Sequence, residues 1–161
     1  MKAATIHELK EELIHLPAPK LLALCLRMAR FKKENKELLT YLLFEAHDEP
    51  AYLENVKAFI DEQFEEIPGG NNLYFVKKSL RKILRHTNKY IRYSSDKHTE
   101  IQLLIYYCSK LKESGIPFRK SAALTNVFQT QLKKIEKIIV TLHEDLQYDY
   151  RKELERLQPA G

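Results

Sequence analysis

Cysteine is scarce in this chain, and that scarcity narrows the class of protein. Two cysteines among 161 residues cannot build a disulfide framework of the kind that small secreted domains use. Cys25 and Cys108 each lie inside an apolar run. We therefore predict two buried, inert thiols in a protein of a reducing compartment.

Long apolar runs are also missing. No run approaches the roughly 18 residues that a membrane-spanning helix needs, and the opening residues MKAATIHELKEEL are amphipathic and charged. The sequence therefore predicts neither integral membrane contact nor a secretory signal. Together with the thiols, this pattern favours a cytoplasmic location.

What the chain does contain is typical of a globular protein. Hydrophobic residues make up 44% of it and charged residues 30%, which lies far from the low-hydrophobicity composition of disordered chains. A chain of this length usually forms one domain. We predict a single all-helical domain over residues 1–161 that needs no disulfide or metal to hold it together.

The few glycines and prolines divide the chain into segments of helical period. A capping box at Thr5 and Glu8 predicts a first helix over residues 6–15, and Pro19 suits the first turn of a second that ends near Phe31. A third helix is predicted over about residues 33–46. Asp48 is a start signal for a fourth helix that ends at about residue 65, and a fifth and a sixth are predicted over about residues 73–92 and 97–114. No segment alternates with the period of a strand. The predicted fold is all-α, a bundle or irregular array of about seven helices.

Apolar stripes at helical spacing predict which faces form the core. One stripe lies on each of the second and third helices, and the fourth and fifth helices are predicted to pack as an antiparallel pair. The residues are Leu22, Leu26 and Ala29; Leu38, Leu39, Leu42 and Leu43; Val56, Phe59, Ile60 and Phe64; and Val76, Leu80, Ile83 and Leu84.

The end of the chain predicts one long helix, because no proline or glycine interrupts residues 118–158. Such a helix would extend roughly 55 to 60 Å, whereas a globule of this size is about 40 Å across. Either the helix bends or breaks, or its last turns project and bury Tyr150, Leu154 and Leu157 against a second copy. We favour the second alternative, a homodimer through the C-terminal helix.

A resemblance covers about a fifth of the chain. Residues 16–46, LPAPKLLALCLRMARFKKENKELLTYLLFEA, resemble the opening of uncharacterised small all-helical bacterial proteins. That resemblance implies no activity, cofactor or site residue.

Charge is distributed unevenly along the chain. Residues 45–66 carry one basic and eight acidic side chains, whereas residues 73–93 carry seven basic and no acidic ones. At about 100° per residue, the cations of the fifth helix share one arc and its apolar residues share another. Tyr74 lies within the basic arc. The candidate nucleic-acid-binding residues on that arc are Lys78, Arg81, Lys82, Arg85, Lys89 and Arg92.

Three interpretations of the basic arc remain open. Cations at helical spacing can follow phosphates, and aromatic rings can stack on unpaired bases. Alternatively, Asp61, Glu62, Glu65 and Glu66 of the acidic fourth helix neutralise the first turns of the basic helix. A third interpretation is contact with an anionic protein or membrane surface. No helix-turn-helix, zinc-finger or basic-zipper pattern indicates sequence-specific DNA binding.

No motif indicates catalysis, a cofactor or a metal. His7 and His15 lie about 12 Å apart along a helix, too far to share one ion, and Gly69-Gly70 lacks the rest of a phosphate-binding loop. We therefore expect no enzyme and no cofactor. The leading prediction is a non-catalytic helical interaction or scaffold module with an unknown protein partner, and the alternative is a non-specific nucleic-acid-binding protein that uses residues 73–92.

Overall fold

The computed structural model describes residues 1–68 and 72–158, and these residues form helices and no strand. The all-α prediction is confirmed, with eight α-helices in the described ranges where about seven are predicted. A π-helical turn, Tyr41–Glu45, and a 3-10 turn, Phe118–Lys120, lie between them. The helices are α1 (Ile6–Ile14), α2 (Ala18–Phe31), α3 (Lys33–Thr40), α4 (Glu49–Glu65), α5 (Leu73–Ser94), α6 (Lys97–Glu113), α7 (Ala122–Ile139) and α8 (Glu144–Leu157).

The chain divides into two compact units, Met1–Phe44 and Glu45–Gly161. The sequence predicts one domain over residues 1–161, and that stays a prediction. The sequence also predicts a sharp break of the chain at Pro68–Asn72, which lies partly outside the described residues because these exclude Gly69, Gly70 and Asn71. Pro68 itself lies beyond the end of α4.

The first unit begins with the predicted capping box. The Thr5 hydroxyl accepts a hydrogen bond from the Glu8 backbone N–H at 3.3 Å, and the Glu8 carboxylate accepts one from the Thr5 backbone N–H at 2.7 Å. The Glu8 carboxylate also accepts a hydrogen bond from the Thr5 hydroxyl at 2.8 Å, and its two bonds from Thr5 hold the pKa of Glu8 below its ordinary value. The exchange satisfies two of the backbone donors that a helix N-terminus leaves unpaired, so α1 starts where the sequence predicts.

Helices α2 and α3 pack side by side, but they bury no residue. The predicted core faces are therefore wrong for this unit. Leu22 is 61% exposed and Leu43 62% exposed. Three short helices are too little chain to enclose their own apolar side chains.

The second unit has a continuous core centred on α6. This helix packs against α4, α5, α7 and α8, and its buried side chains cover about two thirds of its circumference at 100° per residue, as a central helix of a bundle requires. They are Thr99, Ile101, Leu103, Leu104, Ile105, Tyr107, Cys108 and Leu111.

Helices α4 and α5 form the predicted antiparallel pair. The Tyr52 hydroxyl near the start of α4 donates to the Tyr90 carbonyl near the end of α5 at 2.9 Å. Two turns further along α4 and one turn back along α5, the rings of Phe59 and His86 stack with their centroids 5.7 Å apart. Leu80 is completely buried on the α5 side.

The predicted long C-terminal helix is matched only in part, because the chain breaks between α7 and α8, which is the first of the two alternatives that the sequence leaves open. At the end of α7 the Thr141 hydroxyl donates to the Ile138 carbonyl at 2.8 Å, and the Thr141 N–H bonds to the same carbonyl. His143 then adopts an extended backbone, and α8 restarts with Glu144 and Asp145 in its first turn. A threonine side chain competes in this way with the helical hydrogen-bond pattern.

The break lets α8 fold back onto α6 and α7. Tyr150, Leu154 and Leu157 are thereby buried in the core of their own unit, at 7%, 5% and 4% exposure. The predicted homodimer through the C-terminal helix depends on these residues being exposed, so the structure removes its basis.

Candidate nucleic-acid interface

Helix α5 is positioned by its apolar stripe. Asn72 caps its start by accepting a hydrogen bond from the Tyr74 N–H at 3.1 Å, and Ser95 ends it in a left-handed conformation. The stripe steps by three or four residues along the whole helix and faces the core of the unit: Val76, Leu80, Ile83, Thr87 and Ile91. Inside that core the Tyr107 hydroxyl donates to the Leu80 carbonyl at 3.1 Å, which ties α5 to α6.

Burial of this stripe turns the basic arc outward. Five of the six candidate side chains are exposed: Lys78, Arg81, Lys82, Arg85 and Arg92. The sixth, Lys89, is half-buried, and its ammonium lies 5.2 Å from the centre of the Tyr90 ring. From Lys78 to Arg92 the face extends about 21 Å along the helix.

The five exposed cations make no ion pair with any residue in the described ranges. Their charge therefore faces solvent without a neighbouring carboxylate to neutralise it, apart from what residues outside those ranges contribute. Solvent-exposed cations along one line raise the local concentration of anions. The arrangement can bind an extended polyanion.

Two carboxylates in the middle of α4, Asp61 and Glu54, have partners outside α5. Asp61 accepts hydrogen bonds from the Tyr106 hydroxyl at 2.8 Å and from the Lys110 ammonium at 2.7 Å, both on α6. Glu54 pairs with Lys57 within α4 at 2.8 Å. Although the two helices pack antiparallel, no ion pair in the described ranges joins α5 to Asp61, Glu62, Glu65 or Glu66, so the predicted neutralisation is absent there as direct pairing.

Electrostatics at Asp61 follow from these contacts. Partial burial acts to raise the pKa of the Asp61 carboxyl, but the bonds from Lys110 and Tyr106 outweigh it and hold that pKa below its ordinary value. Burial and the neighbouring carboxylate together raise the pKa of the Tyr106 phenol. Asp61 therefore stays charged and committed to α6.

Glu49, at the start of α4, is committed in the same way. Its carboxylate accepts hydrogen bonds from the Ser94 hydroxyl and from the Thr99 hydroxyl, the latter at 2.6 Å. These bonds join the start of α4 to the end of α5 and the start of α6.

An exposed aromatic pair lies at the beginning of the basic face. Tyr74 is 65% exposed and Phe75 52% exposed, and their ring centroids lie 5.4 Å apart in an edge-to-face arrangement. Tyr74 stands four residues before Lys78 and seven before Arg81, so the three share one side of α5. A base could stack on this ring while the strand continues along the cations.

One cation near α5 comes from a distant part of the sequence. The Lys134 ammonium of α7 donates to the Asn88 side chain at 3.2 Å and pairs with Glu100 at 2.8 Å. No local pattern predicts this contact, because it spans 46 residues of sequence.

The two cysteines differ in their surroundings. Cys108 is completely buried, and burial raises the pKa of its thiol to about 12. Cys25 is exposed, so the prediction that both thiols are buried is wrong for Cys25. Its stripe on α2 faces solvent because the first unit has no enclosed core.

The second unit also has an open cavity of about 360 Å³ between α6 and α8. In its lining the Tyr150 hydroxyl lies 3.4 Å from Gln102 Nε2, and the same hydroxyl lies 3.3 Å from Nδ1 of the neighbouring His98. Within the described ranges, no three His, Cys, Asp or Glu side chains lie close enough to hold a metal ion.

No family model, curated protein or solved structure matches this chain. The resemblance of residues 16–46 to small helical bacterial proteins therefore stays a prediction. Among the described residues, no helix is both long enough and apolar enough to cross a membrane.

Proposed function

We propose that this protein is a non-catalytic helical module whose α5 face binds the phosphate backbone of nucleic acids without sequence specificity. One observation carries the proposal: five cations on that face are exposed and have no ion pair in the described part of the chain. The acidic helix that could have covered them directs Asp61 and Glu49 to other partners.

The aromatic pair favours nucleic acid over an acidic protein surface. Tyr74 and Phe75 are exposed beside the cations, and stacking of unpaired bases on such rings contributes about 1 to 3 kcal/mol per base. We therefore expect single strands to bind more tightly than duplexes of the same length. Contacts to phosphates carry no sequence information, which is why we propose non-specific binding.

Burial of the apolar stripe argues against a lipid surface as the ligand of α5. A helix that lies in a membrane interface inserts its apolar face among the acyl chains. In α5 that face, which includes Val76, Leu80 and Ile83, belongs to the core. Only the charged side and the ring pair remain to meet a ligand.

The experiment is a titration of a fluorescently labelled single-stranded oligonucleotide with the full chain. We expect R81E/R85E/R92E to bind at least about tenfold more weakly at low salt, because three phosphate contacts are lost and three repulsions are added. The matched control is R151E/K152E/R156E, which changes the net charge equally at exposed positions of α8. Equal weakening by the two variants would reject α5 as the site.

We also propose that the protein acts as a scaffold. The exposed apolar residues of the first unit support a protein partner, in addition to the nucleic acid that α5 would bind. We also infer a cytoplasmic location, where the protein would meet nucleic acid and where free thiols persist.

A further inference from the structure

The first unit exposes an unusual amount of apolar surface. Thirteen large hydrophobic side chains between residues 6 and 44 are exposed in this unit, and monomeric soluble proteins rarely present so many together. They are Ile6, Leu9, Leu13, Ile14, Leu22, Leu24, Leu26, Met28, Phe31, Leu38, Leu42, Leu43 and Phe44. Such a surface indicates an interface.

Part of this surface forms a groove between α2 and α3 with a volume of about 570 Å³. Leu26, Leu39 and Leu43 supply apolar side chains to the groove, and Arg30, Lys33 and Lys36 supply three cations. Of these, Lys33 lies 3.7 Å from Glu37. The groove is therefore apolar with a positively charged border, and it fits an amphipathic helix that carries acidic residues along one edge.

The same chain contains a helix of this description. In α1, Ile6, Leu9 and Leu13 share one side at spacings of three and four residues, and none of the residues of α1 is buried. Glu12 lies along one edge of that stripe at about 100° per residue, and Glu8, whose carboxylate accepts two hydrogen bonds from Thr5, lies next to it on the same side. Helix α1 is about 13 Å long, and Pro17 holds an extended backbone that separates it from α2.

We propose that two copies of this chain form a dimer in which each α1 binds the α2–α3 groove of the other copy. The acidic edge of α1 meets the cations of the groove, and its leucines cover the apolar side chains there. Since every chain carries both the helix and the groove, a twofold axis makes the contact twice. Neither surface is covered within its own unit, where Leu9 is 46% and Leu43 62% exposed.

This dimer differs from one through the C-terminal helix, and it does not depend on nucleic-acid binding by α5. The occupant of the groove is a second copy because the complementary charge and the complementary apolar stripe are present on the same chain. Binding of α1 to the groove of its own chain would leave the protein monomeric, which the experiment detects.

The test begins with sedimentation equilibrium of the full chain over a roughly hundredfold range of concentration. We expect a concentration-dependent dimer.

Two double variants test the two surfaces. L9D/L13D alters α1, and L26D/L43D alters the groove. Each should raise the dimer dissociation constant at least about a hundredfold, because an aspartate would be buried without a partner. All four leucines are exposed in the single chain, so circular dichroism should show unchanged helicity. Y148D, at an exposed position of α8, is the control and should leave the dimer intact.

A mixture of the two defective variants tests the exchange itself. The intact α1 of the groove variant and the intact groove of the α1 variant should form a one-to-one heterodimer through a single contact, while each variant alone stays monomeric. A wild-type chain that is monomeric at every concentration would overturn the proposal. So would a dimer that survives both variants, or a mixture that does not associate.

Discussion

Burial separates two cysteines that look alike in the sequence. Cys108 lies in the centre of the second unit, and burial raises the pKa of its thiol to about 12. Cys25 lies on the exposed side of α2. Since the thiolate is the reactive form and must also be reached by the reagent, the two residues should react very differently.

We expect a thiol reagent such as Ellman's reagent at mildly alkaline pH to modify one cysteine of the folded protein rapidly and the other only after a denaturant unfolds the chain. Replacing Cys25 by serine should abolish the rapid phase, and replacing Cys108 by serine should leave it unchanged. Rapid modification of both thiols in the folded protein would contradict the burial of Cys108.

Leu80 is the residue of α5 at which the contribution of one core side chain to stability can be measured. It is completely buried, so Leu80→Ala should lower the free energy of unfolding by about 2 to 5 kcal/mol through lost burial and the remaining cavity. Chemical denaturation measures this change. Tyr74→Ala on the exposed side of the same helix is the control, and it should change stability by less than about 0.5 kcal/mol. Equal effects of the two substitutions would mean that α5 presents the opposite face to the core.

At the scale of elements, the segment that the sequence predicts as the end of one long helix forms a separate helix, α8. Its buried residues Tyr150, Leu154 and Leu157 complete the core beside α6. We expect a chain that ends at Leu146 to lose cooperative unfolding, because this truncation removes three buried side chains at once. Thermal melts followed by circular dichroism would show the loss. A truncated chain that melts as sharply and as high as the full chain would mean that α8 is not part of the core.

Local sequence patterns predict where a helix begins and which of its faces is apolar. Thr5 and Glu8 place the start of α1, and helical spacing in α5 separates Leu80 from Arg81 and Arg85 before any contact is known. The break at Thr141 is harder to predict, because threonine also occurs inside helices and no local pattern shows that the residues after it pack back onto α6 and α7.

The candidate site could be predicted only in part for a similar reason. Periodicity identifies the basic arc, but it does not show which helix the carboxylates of α4 contact. Tertiary packing determines that Asp61 pairs with α6 and not with α5. The exposure of Leu22 and Leu43 follows from the size of the first unit and from nothing in the local pattern. Both the partner of Asp61 and the exposure of these leucines depend on tertiary packing, which local patterns do not contain.

At the scale of the whole molecule, the two units present different surfaces. The second unit encloses most of its apolar residues and exposes a line of cations on α5, while the first unit leaves apolar residues exposed on three short helices. The charged surface suits a long polyanion, and the apolar one suits a helix. A module with both surfaces would bind nucleic acid and associate with protein at separate sites.

The salt dependence of oligonucleotide binding tests the central claim most directly. If the α5 face contacts about four to six phosphates, the logarithm of the affinity should fall with the logarithm of the salt concentration with a slope of roughly −3 to −5. The slope for R81E/R85E/R92E should be shallower by about 2 to 3, because each lost contact removes about one released ion. The slope for R151E/K152E/R156E should match the wild type. A wild-type slope near zero, or the same steep slope in all three proteins, would contradict binding through α5.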